Sequence, residues 1–347
     1  MNKSEPLGEF DLIRKFFDRP NLHRQTGSVL SPISPKHQDL LQLGIGDDCA
    51  LLDAGDGSSW AISSDMLVEG RHFLPNVHPA DLGHKSLAVN LSDLAAMGAT
   101  PVGFTLSLAL PSAQDEWLAE FSTGLFTLAD AHHCQLIGGD TTAGPLTISI
   151  TIFGKVNPQL ALKRSNAQVG DDIWVSHAVG DARLALGGYR HEWPMSSAEM
   201  QMVAPRMHTP TPRVALGEKL LGIAHAAIDV SDGLLGDLRH ILQRSHVNAE
   251  IWIDAVPASA TLKEKSLELR RLCTLCGGDD YELCFTAPVS KRDAILAIGA
   301  DLGLQVTRIG RTLERSAKLE IQLLDADSRR LPENLEQQYL KSFDHFK

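Results

Sequence analysis

Apolar positions along this chain recur at two spacings. Leu87, Leu91, Leu94 and Ala95 fall at i, i+4, i+7 and i+8, which predicts a helix over 79–98. Asn90, Asp93 and Met97 share a second face of that helix, so Asp93 is aimed away from the apolar stripe. Leu234, Leu235, Leu238, Ile241 and Leu242 repeat the pattern. Phe10, Ile13, Phe16 and Phe17 predict a short amphipathic helix over 8–17. A helix from Ser112, with Ser112 and Asp115 as its capping pair, is expected to run to His133. Segments 59–66, 101–109, 135–137, 146–156, 172–176 and 226–230 read as strands. Residues 21–38, rich in Pro, Ser and His, carry no period and read as a loop. Pro205, Pro210 and Pro212 break up the middle of the second half. Strands alternate with helices throughout, so the class is α/β or α+β, with sheets covered by helices.

Length divides this picture. A chain of 347 residues exceeds one ordinary core, and the polar, Pro-containing stretch 157–167 reads as a linker. Two domains follow, 1–157 and 158–347. Net charge of −11 argues against nucleic acid or an anionic membrane as partner and favours cations. Residues 1–10 lack the pattern of a signal peptide, and no apolar run approaches the roughly 20 residues of a membrane helix. Five scattered cysteines suit a reducing compartment, hence the cytoplasm.

The candidate chemistry is acidic. Aspartates stand in Gly-rich turns or at strand ends at Asp47/Asp48, Asp65, Asp140, Asp229/Asp232 and Asp279/Asp280, with Asp93 on a helix. One such Asp is ordinarily a cap or an Asx-turn. Their recurrence suits hard cations such as Mg²⁺, which bind through carboxylates, waters and phosphate oxygens. There is no G-x-x-x-x-G-K-[ST] loop and no kinase set of H-R-D and D-F-G. Metals would then supply the positive charge that a P-loop lysine provides elsewhere. Arg164 is either a solvated linker arginine or a bidentate phosphate contact. Cys273-x-x-Cys276 has no second pair to complete a zinc site. His72 in a loop reads alone as a surface histidine, and Phe343 as a tail aromatic that packs on the core or stacks on a flat ligand.

In order along the chain stand Gly44-Ile45-Gly46-Asp47-Asp48-Cys49-Ala50, Ile62-Ser63-Ser64-Asp65, Lys85 with Asn90-Leu91-Ser92-Asp93, Gly138-Gly139-Asp140-Thr141-Thr142, Ile228-Asp229-Val230-Ser231-Asp232-Gly233 and Asp280-Tyr281-Glu282-Leu283. This set resembles the motifs of the thiamine-monophosphate kinase family, ATP-dependent enzymes of the aminoimidazole ribonucleotide synthetase superfamily that make thiamine diphosphate. The resemblance spans nearly the whole chain. It implies two domains, each a mixed β-sheet covered by helices. The first would bind ATP and metal and pair across a homodimer; the second would complete the nucleotide and thiamine phosphate site. It implies several Mg²⁺ ions at Asp48, Ser63, Ser64, Asp65, Asp93, Asp140, Asp229 and Asp232, and ATP contacts from Gly139, Asp140, Arg164 and Ser231. His72, Asp279 and Phe343 would meet thiamine monophosphate. The family usually carries Glu where this chain has Asp279, and Tyr or Trp where it has Phe343.

The implied reaction is direct in-line phosphoryl transfer to the acceptor phosphate, with no catalytic side chain acting as acid or base. Asp48 would be a metal ligand, and Asp47 a cap or outer partner. Two other readings fit the acids: a ligase or selenophosphate synthetase-like member of the same superfamily, and a non-catalytic divalent-metal or nucleotide-binding protein. The selenophosphate reading wants a reactive cysteine, and Cys49, behind two acids, is expected to have a raised pKa.

Overall fold

In a computed structural model the chain is described at Gly8, residues 12–17 and residues 40–340. The expected loop 21–38 and Phe343 lie outside the described residues, and of the N-terminal helix only one π-helical turn, Ile13–Phe17, is described.

The first half builds one six-stranded sheet from β1 (Leu41–Leu43), β2 (Ala50–Asp53), β3 (Ser59–Val68), β4 (Thr100–Leu110), β5 (Gln135–Ala143) and β6 (Thr147–Val156), in the order β1-β2-β3-β6-β4-β5. All its pairs are antiparallel except β4 with β5. β3 and β6 pair without interruption from Ser59↔Val156 to Val68↔Thr147. Strand side chains alternate between faces. Ala61, Ser63, Asp65 and Leu67 therefore share one face of β3, while Trp60, Ile62, Ser64 and Met66 share the other. Helix α1 (Pro79–Met97) packs on β3, β4 and β6, and α2 (Asp115–Ala131) packs on α1. The opposite face stays partly open, with Met66 57% and Val102 40% exposed.

α1 is the pivot of the molecule. Leu87, Leu91, Leu94 and Ala95 are fully buried, as their spacing requires. Asn90 and Met97 on the second face are buried too, because the second half packs there. α5 (Val214–Leu220) crosses α1 so closely that a Cβ on Gly217 would stand 2.0 Å from the carbonyl oxygen of Ala95. The largest apolar cluster runs without a break from Leu51 and Ile150 through α1 to Trp174, Ala227, Leu283 and Phe285.

The second half carries α3 (Asp181–Tyr189), α4 (Ser197–His208), α6 (Leu234–Arg244), α7 (Ala260–Lys263), α8 (Leu267–Cys276), α9 (Arg292–Asp301) and α10 (Glu333–Tyr339). Its sheet joins β7 (Asp172–Ser176), β8 (Ala226–Asp229), β9 (Asn248–Trp252), β10 (Leu283–Ala287), β11 (Val306–Leu313) and β12 (Ile321–Leu324) in the order β12-β9-β11-β7-β10-β8. Only β12 with β9 is parallel. The five apolar residues of α6 are all fully buried, under a second apolar cluster.

Four expectations are corrected. β5 is not a short strand followed by a turn: Gly138 to Thr142 stay in the ladder, with Thr105↔Gly138 through Ala109↔Thr142 paired in parallel. Gly139 permits this, since at φ +149° its Cβ would stand 1.8 Å from Leu106 O. β3 does not end at Met66 with Asp65 at its tip but runs on to Val68, which leaves Asp65 inside the strand. α2 starts at Asp115 behind Gln114, with no side-chain cap, and Ser112 accepts a bond from Gln114 Nε2 at 3.2 Å instead. Pro205 lies inside α4 rather than ending it. There a Ser196–Glu199 capping box fixes the start of the helix and offsets the one backbone bond that proline removes.

Candidate active site

The turn after β1 is built around two carboxylates with different duties. Asp47 Oδ1 accepts the Asp48 N–H at 3.1 Å, and Asp47 Oδ2 accepts the Arg164 N–H at 3.1 Å, which ties the turn to the segment joining the two sheets. Asp48 instead faces the Arg164 side chain: Nε donates to Oδ2 at 3.1 Å and Nη2 to Oδ1 at 2.8 Å. This bidentate fork is buried, with Asp48 0% and Arg164 13% exposed at the side chain. Burial, and then the charge of Asp48, raise the Asp47 pKa to about 7, against the pull of Arg164.

Two further acids converge on Asp48. Asp93 projects from α1 and accepts a hydrogen bond from Ser63 on the facing side of β3. Asp229 ends β8 and accepts from Ser92 Oγ at 2.7 Å. One carboxylate oxygen from each of Asp48, Asp93 and Asp229 lies within 4.8 Å of the other two. Burial and the neighbouring carboxylates hold Asp93 and Asp229 well above the ordinary carboxylate range. Hard oxygen donors, crowded and short of positive charge, are what a hard divalent cation requires, so the trio fits Mg²⁺. Among the described residues it is the one acid, histidine or cysteine group close enough to hold an ion.

Beside the trio opens a cavity of about 480 Å³. Asp65, Asp93, Asp229, Asp232 and Asp279 line it together with His72, Ser231 and Tyr281, and Arg71, Arg183 and Arg190 line it as well. His72 is held by its Nδ1, which accepts the Val68 N–H at 3.0 Å. Asp65 is steadied by its backbone N–H, which donates to Asn90 Oδ1 at 3.3 Å. The two Gly-rich turns of the second half form one structure. Val230 N–H donates to Glu282 O, Asp279 N–H to Ser231 O and Tyr281 N–H to Val230 O, all at 2.8–2.9 Å. Asp237, one turn into α6, closes the first turn by accepting the N–H groups of Ser231, Asp232 and Gly233 at 3.0–3.1 Å. Asp280 turns inward and accepts the Gly180 N–H at 2.8 Å. Asp279 turns into the cavity, where Lys85 Nζ donates to Oδ2 at 2.8 Å and the Tyr281 hydroxyl to Oδ1 at 3.1 Å.

The structure thus gathers Asp48, Asp93 and Asp229, with Ser63 behind Asp93, and lines one cavity with Asp65, Asp232, Ser231, His72 and Asp279. It does not bring Ser64, Gly139 or Asp140 to that cavity. Ser64 points to the open face of the sheet, where its hydroxyl donates to Ile150 O at 3.2 Å and meets Thr151 Oγ1 at 3.0 Å. Gly139 and Asp140 sit exposed on β5, opposite Leu106 and Ser107. Arg164 is not a solvated linker arginine but a buried partner of Asp48. Sequence reasoning missed Lys85, Tyr281, Asp237 and the three lining arginines. Asp237 carried a signal, an acid in the first helical turn after Ser231-Asp232-Gly233. Arg71 carried one too, as the neighbour of His72, while Arg183 and the C-capping Arg190 of α3 carried none. Cys49 is 1% exposed, and burial with the charges of Asp93, Asp48 and Asp47 raises its pKa, which removes the nucleophile that a selenophosphate synthetase-like reading wants. Burial pushes Cys273 and Cys276 up to about 12, and they belong to no ion-holding group.

The chain matches two family models, AIR synthase related protein N-terminal domain over residues 46–156 and AIR synthase related protein C-terminal domain over residues 168–322. It is 44% identical to the thiamine-monophosphate kinase of Salmonella typhimurium over 307 residues, covering 88% of this chain and 90% of that protein. The crystal structure of thiamine-monophosphate kinase from Stenotrophomonas maltophilia superposes with a TM-score of 0.74 at 46% identity, covering 82% of this chain and 92% of that one. AaThiL complexed with AMPPCP and TMP superposes with a TM-score of 0.74 at 28% identity, covering 87% and 92% of the two chains.

Proposed function

The chain belongs to the thiamine-monophosphate kinase family of AIR synthase related proteins, and from that premise we propose that it moves the γ-phosphoryl group of ATP onto thiamine monophosphate, giving thiamine diphosphate and ADP. A relative of the same fold is solved with an ATP analogue and TMP together. The observation that carries the reading is the meeting of Asp48, Asp93 and Asp229, the last two lining a cavity large enough for a phosphorylated heterocycle.

The transfer is direct. A phosphate monoester has its second pKa near about 6, so at neutral pH the acceptor is mostly a dianion and is itself the nucleophile. An acceptor phosphate oxygen forms the new bond to the γ-phosphorus as the bond to the β-bridging oxygen breaks, and ADP leaves with that electron pair. No side chain needs to take a proton. Asp48, Asp93 and Asp229 would hold Mg²⁺, with Asp65 and Asp232 beside them. Bound there, the ions supply the positive charge that draws phosphate oxygens into an acidic cavity and stabilises the transferring group. Arg164 is read as exchanging the Asp48 carboxylate for a nucleotide phosphate, and Ser231, which lines the cavity, as a second nucleotide contact. His72 and Asp279 line the part of the cavity assigned to the acceptor, and Phe343 is assigned there on family resemblance.

Residues 1–157 and 158–347 are read as the two domains, the first pairing in a homodimer through the open face of its sheet. Trp60, Ile62, Met66 and Phe153 share that face, and Ser64 and Asp140 stand on it as well. Among the described residues no helix is long and apolar enough to cross a membrane, and the cytoplasm is the proposed site of action. The decisive experiment incubates the protein with ATP, MgCl₂ and thiamine monophosphate and separates the products. Thiamine diphosphate and ADP in equal amounts are expected, with no label on the protein from γ-labelled ATP. Absence of thiamine diphosphate would sink the reading, and a trapped phosphoprotein would sink direct transfer.

A further inference from the structure

We propose that Lys85 is a positioning residue for the acceptor, holding the Asp279 carboxylate aimed into the cavity. This rests on the acceptor site assigned above. Lys85 lies on α1, in the first half of the chain, one turn before the cavity-lining Val89. Its side chain is 3% exposed, and its ammonium sits 2.8 Å from Asp279 Oδ2. Asp279 belongs to the second half, so the pair crosses the seam between the two sheets at the cavity wall.

The backbone around Asp279 is arranged for this contact. Asp279 and Tyr281 adopt φ +69° and +50°, left-handed values that residues with a Cβ rarely take. The turn is kept there by the bonds that its N–H groups make to Ser231 O and Val230 O and by the Asp280 carboxylate on the Gly180 N–H. The outcome is a side chain at 279 that leaves the protein body and one at 280 that enters it.

Chemistry gives the arrangement a use. An ionised carboxylate offers about four acceptor positions. Lys85 and the Tyr281 hydroxyl take one on each oxygen. The remaining positions are left to an N–H donor or a cationic ring edge in the cavity, both of which thiamine carries. Lys85 balances the Asp279 charge beside Asp65 and Asp229, which line the same cavity. A buried ion pair that served only to hold the fold would be replaceable by apolar side chains of similar size, often at no loss. This pair instead fixes the orientation of a group that faces ligand.

The test is steady-state kinetics of the full chain with each substrate varied in turn. Wild-type turnover comes first, because its absence refutes the assigned reaction rather than the role of Lys85. Lys85→Met is expected to raise the KM for thiamine monophosphate about tenfold or more, leaving kcat and the KM for ATP within about threefold. Asp279→Asn is expected to do the same, and the double variant Lys85→Met/Asp279→Asn to be no worse than Asp279→Asn alone, since both substitutions remove one interaction. Lys85→Arg, which keeps the charge, is expected to recover part of the loss. An unchanged acceptor KM in Lys85→Met, an equal loss in kcat or ATP KM, or multiplied effects in the double variant would overturn the proposal. If Lys85→Met does not fold, the double variant against Asp279→Asn decides. Equal acceptor KM values support the role, and a further rise of about tenfold overturns it.

Discussion

The two walls of the cavity treat carboxylates in opposite ways. At Asp48, Asp93 and Asp229 three acids stand beside one guanidinium, whose two hydrogen bonds both go to Asp48. At Asp279 a single acid has a lysine and a phenol to itself. Two like charges about 4 Å apart cost about 4 kcal/mol at an effective dielectric near 20, so the first wall stores repulsion that the second avoids. The first is chemically incomplete without an incoming cation. The second is complete and rigid before anything binds. A phosphoryl-transfer site needs both, charge supplied with the nucleotide and a fixed seat for the acceptor.

The largest way to break this contrast is at Asp93. Asp93→Ala is expected to cut turnover by about a thousandfold or more, because nothing else on α1 can take its place among the three carboxylates. The fold is expected to survive, with a thermal midpoint in metal-free buffer no lower than that of the wild type, since a repulsive charge has been removed. Turnover near normal at saturating Mg²⁺ would end the role given to Asp93. The neighbouring acids sharpen the same point. Asp48→Asn is expected to cost turnover on the order of a hundredfold, and Asp47→Asn less than about tenfold, since Asp47 bonds backbone N–H groups and does not belong to the trio. Equal losses in kcat/KM would erase the distinction between them. A buried pair outside the cavity gives the control. Arg213 grips Glu282, which Ser176 Oγ also reaches at 2.5 Å. Glu282→Gln is expected to lower stability to urea by about 3 kcal/mol while leaving the acceptor KM unchanged in the folded fraction.

What the sequence showed follows from where its signals were local. The α1 stripe and the acidic turns at Asp47, Ser231 and Asp279 each rest on a few adjacent residues and form as their patterns require, whereas β3 runs two residues beyond its expected end and the turn expected at Asp140 is strand. Faces were harder. Ser63 and Ser64 read as equals, yet strand alternation sends Ser63 to Asp93 and Ser64 to the open side of the sheet. Asp140 follows the same logic, because Gly139 keeps β5 in the ladder and leaves Asp140 beside Ser107. Partnerships across the chain were invisible. Lys85 meets a residue 194 positions away, and Arg164 one 116 positions away, and neither lysine nor arginine announces a partner by its neighbours. The two turns at Ser231 and Asp279 read as separate motifs, and only β8 pairing with β10 fuses them.

The smallest expected effect concerns protons, which compete with metal at the crowded wall. Asp93 and Asp229 have folded-state pKa values raised above the ordinary range, and Asp47 is raised to about 7 from 3.8. A group raised in this way gives stability that is full below its unfolded pKa and lost as pH climbs through its folded pKa. For Asp47 that window runs from about 4 to about 7; for Asp93 and Asp229 it begins at the same low edge and extends higher. His177 and His240 oppose the trend, since burial first, and then nearby arginines, lower both to about 4, so they lose stability as pH falls below about 6.5. The clean quantity is therefore a difference between two proteins that share those histidines. In metal-free buffer the thermal midpoint of Asp93→Asn minus that of the wild type is expected to rise from pH 5 to pH 8 by a few degrees, because folding the wild type must hold Asp93 protonated against an increasingly basic solution or leave it charged beside its neighbours. MgCl₂ is expected to raise the wild-type midpoint at pH 8 and to do far less at pH 5, where protons compete better for Asp93 and Asp229. A midpoint difference that does not change with pH, or Mg²⁺ stabilisation equal at both values, would mean that the three carboxylates are not short of positive charge, and the contrast with Asp279 would collapse.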